Sequence, residues 1–372
     1  MPQSPNPALP TPPPPVPGLL DLEIRRGPLS AEDRLAVLSE YNRLARARVS
    51  EAAFRRYLED GPCGPGLHAL LRTDAGKLVG HICCFPHPVF IGGKETLAAK
   101  AEYFFLGEAY RTCAIRGQEA QKQPPAILLL KAFYRQARLE GLDPILISAI
   151  PGVDFLHRMA GAKPVAFPLH ECLFILRPLR ASLATPNLSP LRRTLLFAAG
   201  TLQACLAVAF RLGFSLHAGA FEEVPVSRPW APGYPGDLAT FSWEPSFLQW
   251  RYPADSYLDL MSRGKRPWRF IAGRGGRTGY LRVCTTDLDS AQFPAGAFLA
   301  SLLDRARKEG AMGVRWSIYD QGVVPAAAVG RLRKLGWLCV ARTRQILIHT
   351  QNQTLLKAEA WQMEDSLIAF DD

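Results

Sequence analysis

One order of secondary-structure elements occurs twice in this chain, and this repetition constrains the fold more than any other feature. The first half contains LLLKAFYRQARLEGLDPILISAI followed by LHRMAGAKPVA, and the second half contains LASLLDRARKEGAMGVRWSIY followed by RLRKLGWLCVA. Each copy predicts a helix ended by glycine, a strand, a short helix ended by glycine, and a further strand. Because the two copies lie about 170 residues apart, they predict two related domains and not a solenoid.

The first half alternates helices and strands along its whole length. A strand at Asp21–Arg26 precedes a helix at Ser30–Arg46, in which Ser30 and Asp33 imitate a capping box. The order β-α-α-β-β-β-α-β-α-β predicts a mixed sheet covered by helices. The other predicted elements of this half are helices at Val49–Leu58, Ile127–Glu140 and Val153–Met159, and strands at Leu67–Thr73, Lys77–Phe85, Thr96–Leu106, Pro144–Ile150 and Val165–Leu176.

The second half repeats this order in a weaker form. We therefore predict an α/β (α+β) fold with two domains, each a mixed, mostly antiparallel sheet flanked by helices. The predicted boundaries are a Pro-rich tail at 1–18, domains at 19–180 and 221–372, and an apolar linker helix at 181–220. The predicted elements are helices at Glu244–Trp250, Ala295–Glu309 and Ala326–Leu335, and strands at Trp268–Gly273, Tyr280–Cys284, Val314–Tyr319 and Leu338–Thr350.

The composition is that of a globular protein. Hydrophobic residues make up 48% and charged residues 21% of the 372 residues, which excludes wholesale disorder. Eight cysteines are too few for a disulfide scaffold, so we expect reduced thiols and a cytoplasmic location, with the inner face of the membrane as an alternative. Nine prolines within residues 1–17 indicate a disordered tail, or a PxxP ligand, and not a signal peptide.

The net charge of +11 favours an anionic partner. A phosphorylated cofactor, a nucleic acid and an acidic membrane face all fit that description. No helix-turn-helix pattern, RNP motif or concentrated Lys/Arg stripe occurs, so we expect no nucleic-acid partner. A small-molecule substrate remains the main expectation.

Two short segments carry a resemblance to a known family. FSWEPSFLQWRY (241–252) is similar to an FLxWRY stretch, and WQMEDS (361–366) is similar to a closing W…DSD pattern. With the element order, these segments make residues 21–372 resemble tandem GNAT-like (Gcn5-related N-acetyltransferase) proteins of bacterial exopolysaccharide and cell-envelope biosynthesis. The resemblance implies an N-acyltransferase that uses acetyl-CoA or a longer acyl-CoA as co-substrate, with an amino sugar or amino acid as acceptor.

The segment before the Ile127 helix is the candidate cofactor loop. GNAT proteins hold the pyrophosphate of acyl-CoA with a Q/R-x-x-G-x-G/A loop that opens a helix, where free N–H groups and the positive end of the helix dipole favour an anion. The corresponding residues here are Gln121-Lys122-Gln123-Pro124-Pro125-Ala126, so proline replaces the central glycine. The resemblance implies that Gln121, Lys122, Gln123 and Ala126 bind the cofactor, with Arg111 nearby at the start of a ten-residue insertion, Arg111–Ala120.

Amide formation from a thioester requires a base for the amine and an acid for the thiolate. The resemblance places the base among Glu102 and Glu108, on the strand before the cofactor loop, and the acid at His157. The alternative for Glu102 is a salt-bridged or edge-exposed glutamate. The alternative for Glu108 is an ordinary loop residue, and for His157 an ordinary surface histidine. In the second half Leu332 takes the place of His157, so the first half is the expected catalytic half.

The aromatic segment of the second half is the candidate acceptor site. Trp243, Trp250, Arg251 and Tyr252 are the predicted acceptor-binding residues, and a core-packing stripe is the alternative, because Trp243, Phe247 and Trp250 follow helical spacing.

His81, Cys83, Cys84 and His87 lie close together in sequence. Along a strand His81 and Cys83 share one face, and Cys84 lies on the other. The sequence offers no evident fourth ligand, so we expect no metal.

The most apolar stretch, Thr194–Phe210, follows Arg192 and Arg193 and precedes Arg211. Three interpretations remain open: a helix buried between domains, an interfacial helix whose arginines contact acidic headgroups over 191–211, and a membrane span.

Two functions therefore compete. The first is an acyl-CoA-dependent N-acyltransferase. The second is a degenerate GNAT-fold protein that binds or assembles without catalysis.

Overall fold

The structure of the protein, a computed structural model, describes residues 18–45, 49–148, 152–185, 188–214, 221–224, 238–241, 244–254, 256–262, 269–273, 279–286, 295–319 and 325–361. Predictions for the tail at 1–17, for Trp243 and for 362–366 lie outside these residues. Two compact units divide the chain. The first holds the described residues of Met1–Pro86, Ala99–Ile145 and Ala149–Ala162, and the second those of His87–Ala98, Leu146–Ser148 and Lys163–Asp372.

Helices and strands alternate from Leu19 to Met159. Along the chain they are β1 (Leu19–Arg26), α1 (Ala31–Ala45), α2 (Glu51–Leu58), β2 (Leu67–Thr73), β3 (Leu78–Ile91), β4 (Lys94–Leu106), β5 (Ala114–Ile115), α3 (Pro125–Leu139), β6 (Ile145–Ile147) and α4 (Asp154–Met159). In the first unit the strand order is β5-β1-β2-β3-β4. β1 pairs antiparallel with β2, and β5 pairs parallel with β1.

Local signals place these elements. Ser30 Oγ accepts the Asp33 N–H at 3.1 Å, as predicted, and Ser50 Oγ accepts the Ala53 N–H at 3.2 Å, so both serines cap helices. The carboxylate of Asp33 does not complete the capping box but binds Arg72 Nη2 at 2.7 Å. Nine residues of α3 are buried, which makes this helix the main cover of the unit's core.

The second unit repeats the alternation from Lys163 onward. Its elements are β7 (Lys163–Ile175), α5 (Pro178–Ala184), α6 (Pro190–Phe214), β8 (Phe221–Glu223), β9 (Thr240–Phe241), α7 (Pro245–Arg251), β10 (Tyr257–Ser262), β11 (Arg269–Gly273), β12 (Leu281–Thr286), α8 (Ala295–Lys308), β13 (Gly313–Tyr319), α9 (Pro325–Lys334) and β14 (Leu338–His349). The strand order is β6-β14-β7-β13-β12-β11-β10-β8. β7 and β14 pair antiparallel over their length, from Leu338↔Leu173 to Ile348↔Lys163.

Aromatic rings fill the core of the second unit. Phe298 of α8 packs edge-on against Phe270 of β11, with ring centroids 4.7 Å apart, and lies 5.2 Å from Trp316 of β13. Trp361 is fully buried, and its Nε1–H donates to the Leu355 carbonyl at 2.8 Å. The residue that opens the WQMEDS segment is therefore anchored to the short turn that precedes it.

The predicted α/β class is confirmed, because each unit is a mixed sheet flanked by helices in the predicted order. The sequence did not predict β5, β8, β9 or β10, which are short or follow segments without clear periodicity. The domain boundaries inferred from the sequence stay predictions.

Candidate functional site

A cavity of about 710 Å³ lies in the first unit. It is bounded by α1, the end of β4, the start of α3, and α4 with the residues before it. Apart from Tyr41 and Arg111, every lining side chain is apolar. The lining residues are Tyr41, Leu44, Phe104, Phe105, Leu106, Arg111, Pro124, Ala126, Ile127, Gly152, Val153, Phe155, Leu156 and Met159.

The backbone of Tyr103 shapes the wall formed by β4. Its φ is 53°, a left-handed conformation that costs a non-glycine residue about 1–2 kcal/mol. The Tyr103 carbonyl accepts a hydrogen bond from His81 Nδ1 at 3.1 Å, and the Tyr103 ring packs on Tyr41, with centroids 4.8 Å apart. The irregular residue directly precedes Phe104 and Phe105, which both line the cavity although side chains of a regular strand alternate between faces.

The N-terminus of α3 meets the cavity through Pro124, Ala126 and Ile127. The first turn of this 15-residue helix carries no acidic residue, so the positive end of its dipole is not offset there. Pro124 and Pro125 have no N–H, and the Ile127 N–H donates to the Pro124 carbonyl at 2.9 Å. Ala126 is therefore the first residue of the helix with an amide hydrogen to offer an anion.

The structure brings only part of the predicted cofactor set to the cavity. Arg111 and Ala126 line it, whereas Gln121, Lys122 and Gln123 are exposed in the preceding turn. Gln123 Oε1 accepts from Lys131 Nζ at 3.0 Å, which occupies that side chain locally. Lys122 remains close enough in sequence to contribute its charge to the same helix end.

The predicted insertion, Arg111–Ala120, adds an edge strand. Its residues Ala114–Ile115 form β5 beside β1, and the Arg116 N–H donates to the Leu20 carbonyl at 2.8 Å. The Arg116 guanidinium also binds Asp21 at 2.7 Å and forms an ion pair with Asp74. The segment is thus tied to the sheet edge and leaves the cavity open.

Neither glutamate predicted as the base lines the cavity. Glu102 Oε1 lies 2.5 Å from Lys100 Nζ, whose side chain is 3% exposed, so this carboxylate offsets a buried ammonium. The structure supports the alternative interpretation of Glu102, a salt-bridged glutamate. Glu108 is exposed in a short 3₁₀ turn and lies 3.7 Å from Arg111 Nη1, so it orients a cavity-lining arginine from outside.

His157 is buried, which corrects the surface alternative. Burial lowers the pKa of His157 to about 4, so the imidazole is neutral at pH 7. Burial also raises the pKa of Tyr134, whose hydroxyl keeps its proton and donates to His157 Nδ1 at 2.5 Å. The neutral, hydrogen-bonded imidazole lies behind the Phe104 ring, with centroids 5.4 Å apart, and does not line the cavity. In this position it does not reach a ligand in the cavity, as the predicted acid role would require.

The predicted acceptor residues pack in the second unit. Trp250, Arg251 and Tyr252 are all buried. Trp250 packs on Phe247, with ring centroids 5.5 Å apart, and the Arg251 guanidinium lies over the Tyr252 ring at 5.2 Å. The described part of the segment is a core-packing stripe, the alternative that its helical spacing indicated.

Three possible metal ligands do converge in the first unit. The ligand atoms of His68, His81 and Cys83 lie within 4.8 Å of one another, and all three residues are buried. His68 Nδ1 and His81 Nε2 share a hydrogen bond at 3.1 Å, and burial lowers the pKa of both imidazoles, to about 4 for His81. Sequence reasoning missed His68, since it lies on β2 and faces Cys83 only through the strand register. His81 thus connects His68 to the Tyr103 carbonyl through its two ring nitrogens.

The cavity residues missed by sequence reasoning have weak local signals. Tyr41 and Leu44 lie within the helix predicted at Ser30–Arg46, where apolar residues indicate core packing. Phe155 and Met159 lie one helical turn apart on the short α4, and their exposure of 50% and 60% is known only from the structure.

No protein-family model and no curated protein matches the chain. Among solved structures it is similar to a probable N-acyltransferase from Enterococcus faecalis V583, with a TM-score of 0.48, 11% identity and coverage of 88% of this chain and 72% of that one. It is also similar to a GCN5-related N-acetyltransferase from Kribbella flavida, with a TM-score of 0.46, 13% identity and coverage of 88% and 71%. A third, from Anabaena variabilis ATCC 29413, has a TM-score of 0.47, 13% identity and coverage of 89% and 73%. Identity at this level leaves the site to be argued from the chain's own side chains.

Proposed function

We propose that the first unit binds an acyl-CoA thioester in its cavity and transfers the acyl group to an amine. The single observation that carries the proposal is the apolar cavity that ends at the N-terminus of a long helix. Such a site suits a ligand with an apolar arm at one end and phosphates at the other.

The cavity volume supports the apolar half of that ligand. At about 710 Å³, it lies within the range of small-molecule sites, about 300–1,000 Å³. Leu44, Phe105 and Ile127 offer aliphatic and aromatic walls against which a pantetheine arm and a short acyl chain lose water. Phe155 and Met159, both exposed, form an apolar rim that favours entry of an acyl chain.

The cation set supports the phosphate half. Arg111 lines the cavity, Lys122 lies in the turn before α3, and the helix end itself is positive. The two prolines reduce the number of backbone donors, so side-chain cations carry more of the phosphate binding here than a glycine loop would require.

The main contribution of the protein to the transfer is to position the thioester and the amine next to each other. The amine nitrogen bonds to the thioester carbonyl carbon, the C–S bond breaks, and the thiolate takes up a proton. Among the lining residues Tyr41 has the only hydroxyl, and we assign it the role of proton donor to the thiolate. No carboxylate or imidazole occurs among those residues, so the amine loses its proton to water.

Isothermal titration with CoA, acetyl-CoA and longer acyl-CoAs tests binding, and thiol release in the presence of amines tests transfer. We expect binding to strengthen with acyl length until the cavity is filled. Val153→Trp, which fills the cavity, should weaken binding at least about tenfold. Leu139→Trp, at the exposed end of α3, serves as the matched control and should leave affinity unchanged. The absence of heat with every donor would overturn the proposal.

A second function follows from the same lining. Because no carboxylate or imidazole occurs among the described residues that line the cavity, a protein that binds acyl thioesters without transferring them also fits. Heat of binding without thiol release from any amine would favour this function.

The acceptor and the cellular setting extend the proposal. The resemblance to envelope-associated acyltransferases favours an amino sugar or amino acid as acceptor in polymer synthesis. A cytoplasmic setting agrees with eight cysteines that form no disulfide. Mass spectrometry of products from a panel of amines identifies the acceptor class.

A further inference from the structure

The outward side of α6 is apolar although it faces solvent. Leu191, Leu195 and Leu202 lie at positions i, i+4 and i+11, which share one side of a helix, and they are 71%, 59% and 64% exposed. Ala198 and Cys205 are exposed on the same stripe, and Val208, 55% exposed, lies beside it. We call these six residues the apolar face. A contiguous apolar surface of this kind marks an interaction site.

The opposite side of α6 is fastened to the second unit. Gln203 Oε1 accepts the Ile175 N–H at 2.8 Å, and Gln203 Nε2 donates to the carbonyls of Leu173 and Gly336 at 3.1 and 2.7 Å. A Cβ on Gly200 would come within 2.9 Å of Ile175 Cγ2, so the helix backbone approaches β7 closely there. The helix is held on one side, and the apolar face stays turned outward.

The hydroxyl groups of this helix are already satisfied. Thr194 Oγ1 donates to the Pro190 carbonyl at 3.1 Å, and Thr201 Oγ1 donates to the Phe197 carbonyl at 2.9 Å. Removing them from water therefore leaves no unpaired donor. The exposed side of α6 can enter an apolar medium at low polar cost.

The segment of chain that contains the apolar face carries charge of one sign. Residues 172–221 contain five arginines, among them Arg192 and Arg193 at the start of α6, and no aspartate or glutamate. Arginines beside an exposed apolar helix face favour an anionic bilayer, in which acyl chains take the apolar side chains and headgroups take the guanidinium groups. A second copy of the chain would place a segment of the same positive charge against this one, which disfavours that occupant.

Among the described helices, none is long and apolar enough to cross a bilayer. We infer that α6 docks in the plane of an anionic lipid surface, with the apolar face inserted and Arg192 and Arg193 at the headgroups. This inference is independent of the acyl transfer, because it concerns the second unit only.

Co-sedimentation of the full chain with vesicles tests the docking. We expect binding to phosphatidylcholine vesicles that contain about 40% phosphatidylglycerol at low salt, weak binding to phosphatidylcholine alone, and release as salt screens the charge. Leu195→Gln/Leu202→Gln and, separately, Arg192→Gln/Arg193→Gln should each reduce the bound fraction about tenfold. Circular dichroism checks that these exposed substitutions leave the fold intact.

Leu139→Gln/Arg135→Gln on exposed positions of α3 is the matched control, and it should bind vesicles like the wild type. Failure of the wild type to bind anionic vesicles at low salt overturns the inference. Undiminished binding by Leu195→Gln/Leu202→Gln does the same. A dimer in sedimentation equilibrium without vesicles, dissociated by those two substitutions, would assign the apolar face to a second copy instead.

Discussion

At the scale of single residues, Tyr41 takes part in two features of the candidate site. Its ring packs edge-on against Tyr103, with centroids 4.8 Å apart, and its side chain lines the cavity. Tyr103 is the residue whose φ of 53° bends the end of β4. Tyr41 thus connects the shape of the cavity wall to the chemistry proposed for it.

Tyr41→Phe should separate these two roles. The ring and its packing remain, while the proton donor is lost, so we expect kcat to fall about tenfold to hundredfold with little change in KM. Tyr57→Phe, in α2 and away from the cavity, is the control and should keep wild-type kinetics. Steady-state rates of thiol release measure both. An unchanged kcat for Tyr41→Phe would remove this residue from the chemistry.

At the scale of elements, the first turn of α3 decides how phosphates are held. Pro125 occupies the first helical position, where an N–H would otherwise point out of the helix end. Pro125→Ala restores that donor, and we expect affinity for CoA to rise about threefold to tenfold. Pantetheine has no phosphate at that end and should bind wild type and variant equally. Isothermal titration compares the two ligands, and an equal gain for pantetheine would contradict the assignment.

The contact between α6 and β7 depends on the absence of a side chain at Gly200. A Cβ there would lie 2.9 Å from Ile175 Cγ2 and 3.0 Å from Pro178 Cβ, neither of which belongs to a flexible side chain. Gly200→Ala should lower the free energy of unfolding by about 1–2 kcal/mol despite the better helix propensity of alanine. Urea denaturation measures the change.

Gly330 in α9 provides the matched control, since nothing lies within 4 Å of a Cβ at that position. Gly330→Ala should raise the free energy of unfolding by about 0.5–1 kcal/mol, the gain expected for alanine in an open helix. Equal shifts for the two variants would show that α6 does not approach β7 closely.

At the scale of the whole molecule, buried neutral histidines make stability depend on pH. Burial lowers the pKa of His81 and of His157 from 6.5 to about 4, because the charged imidazolium would lose its water. Between these values the unfolded chain binds protons that the folded chain does not. Stability is therefore full above about pH 6.5 and falls as the pH drops toward 4, by up to about 3 kcal/mol for each histidine.

Urea denaturation from pH 7 to 4.5 should show this loss. His157→Asn keeps an acceptor for the Tyr134 hydroxyl but has no imidazole to titrate, so its stability should fall less steeply over the same pH range. The slope is the readout, because the smaller side chain also lowers stability at every pH. Parallel slopes would mean that His157 is not buried as a neutral group.

The local order of elements was predictable from this sequence because helices and strands differ in the period of their apolar residues, and serines and glycines mark their ends. Ser30, Ser50 and the helix that leads to Gly141 needed no tertiary information. The site candidates were found only in part. Of the predicted cofactor residues Arg111 and Ala126 line the cavity, whereas the predicted catalytic residues Glu102 and His157 do not, since burial and partners depend on which strands become neighbours.

The sequence by itself determined the α/β class, the repeated order of elements and the position of the helix whose N-terminus meets the cavity, because these follow from contacts between residues close in the chain. Only the tertiary structure decided that His68 hydrogen-bonds His81, that Gln203 accepts a hydrogen bond from the last residue of β7, and that Trp250 is buried. Those contacts join residues distant in sequence, and local periodicity carries no information about which of them meet.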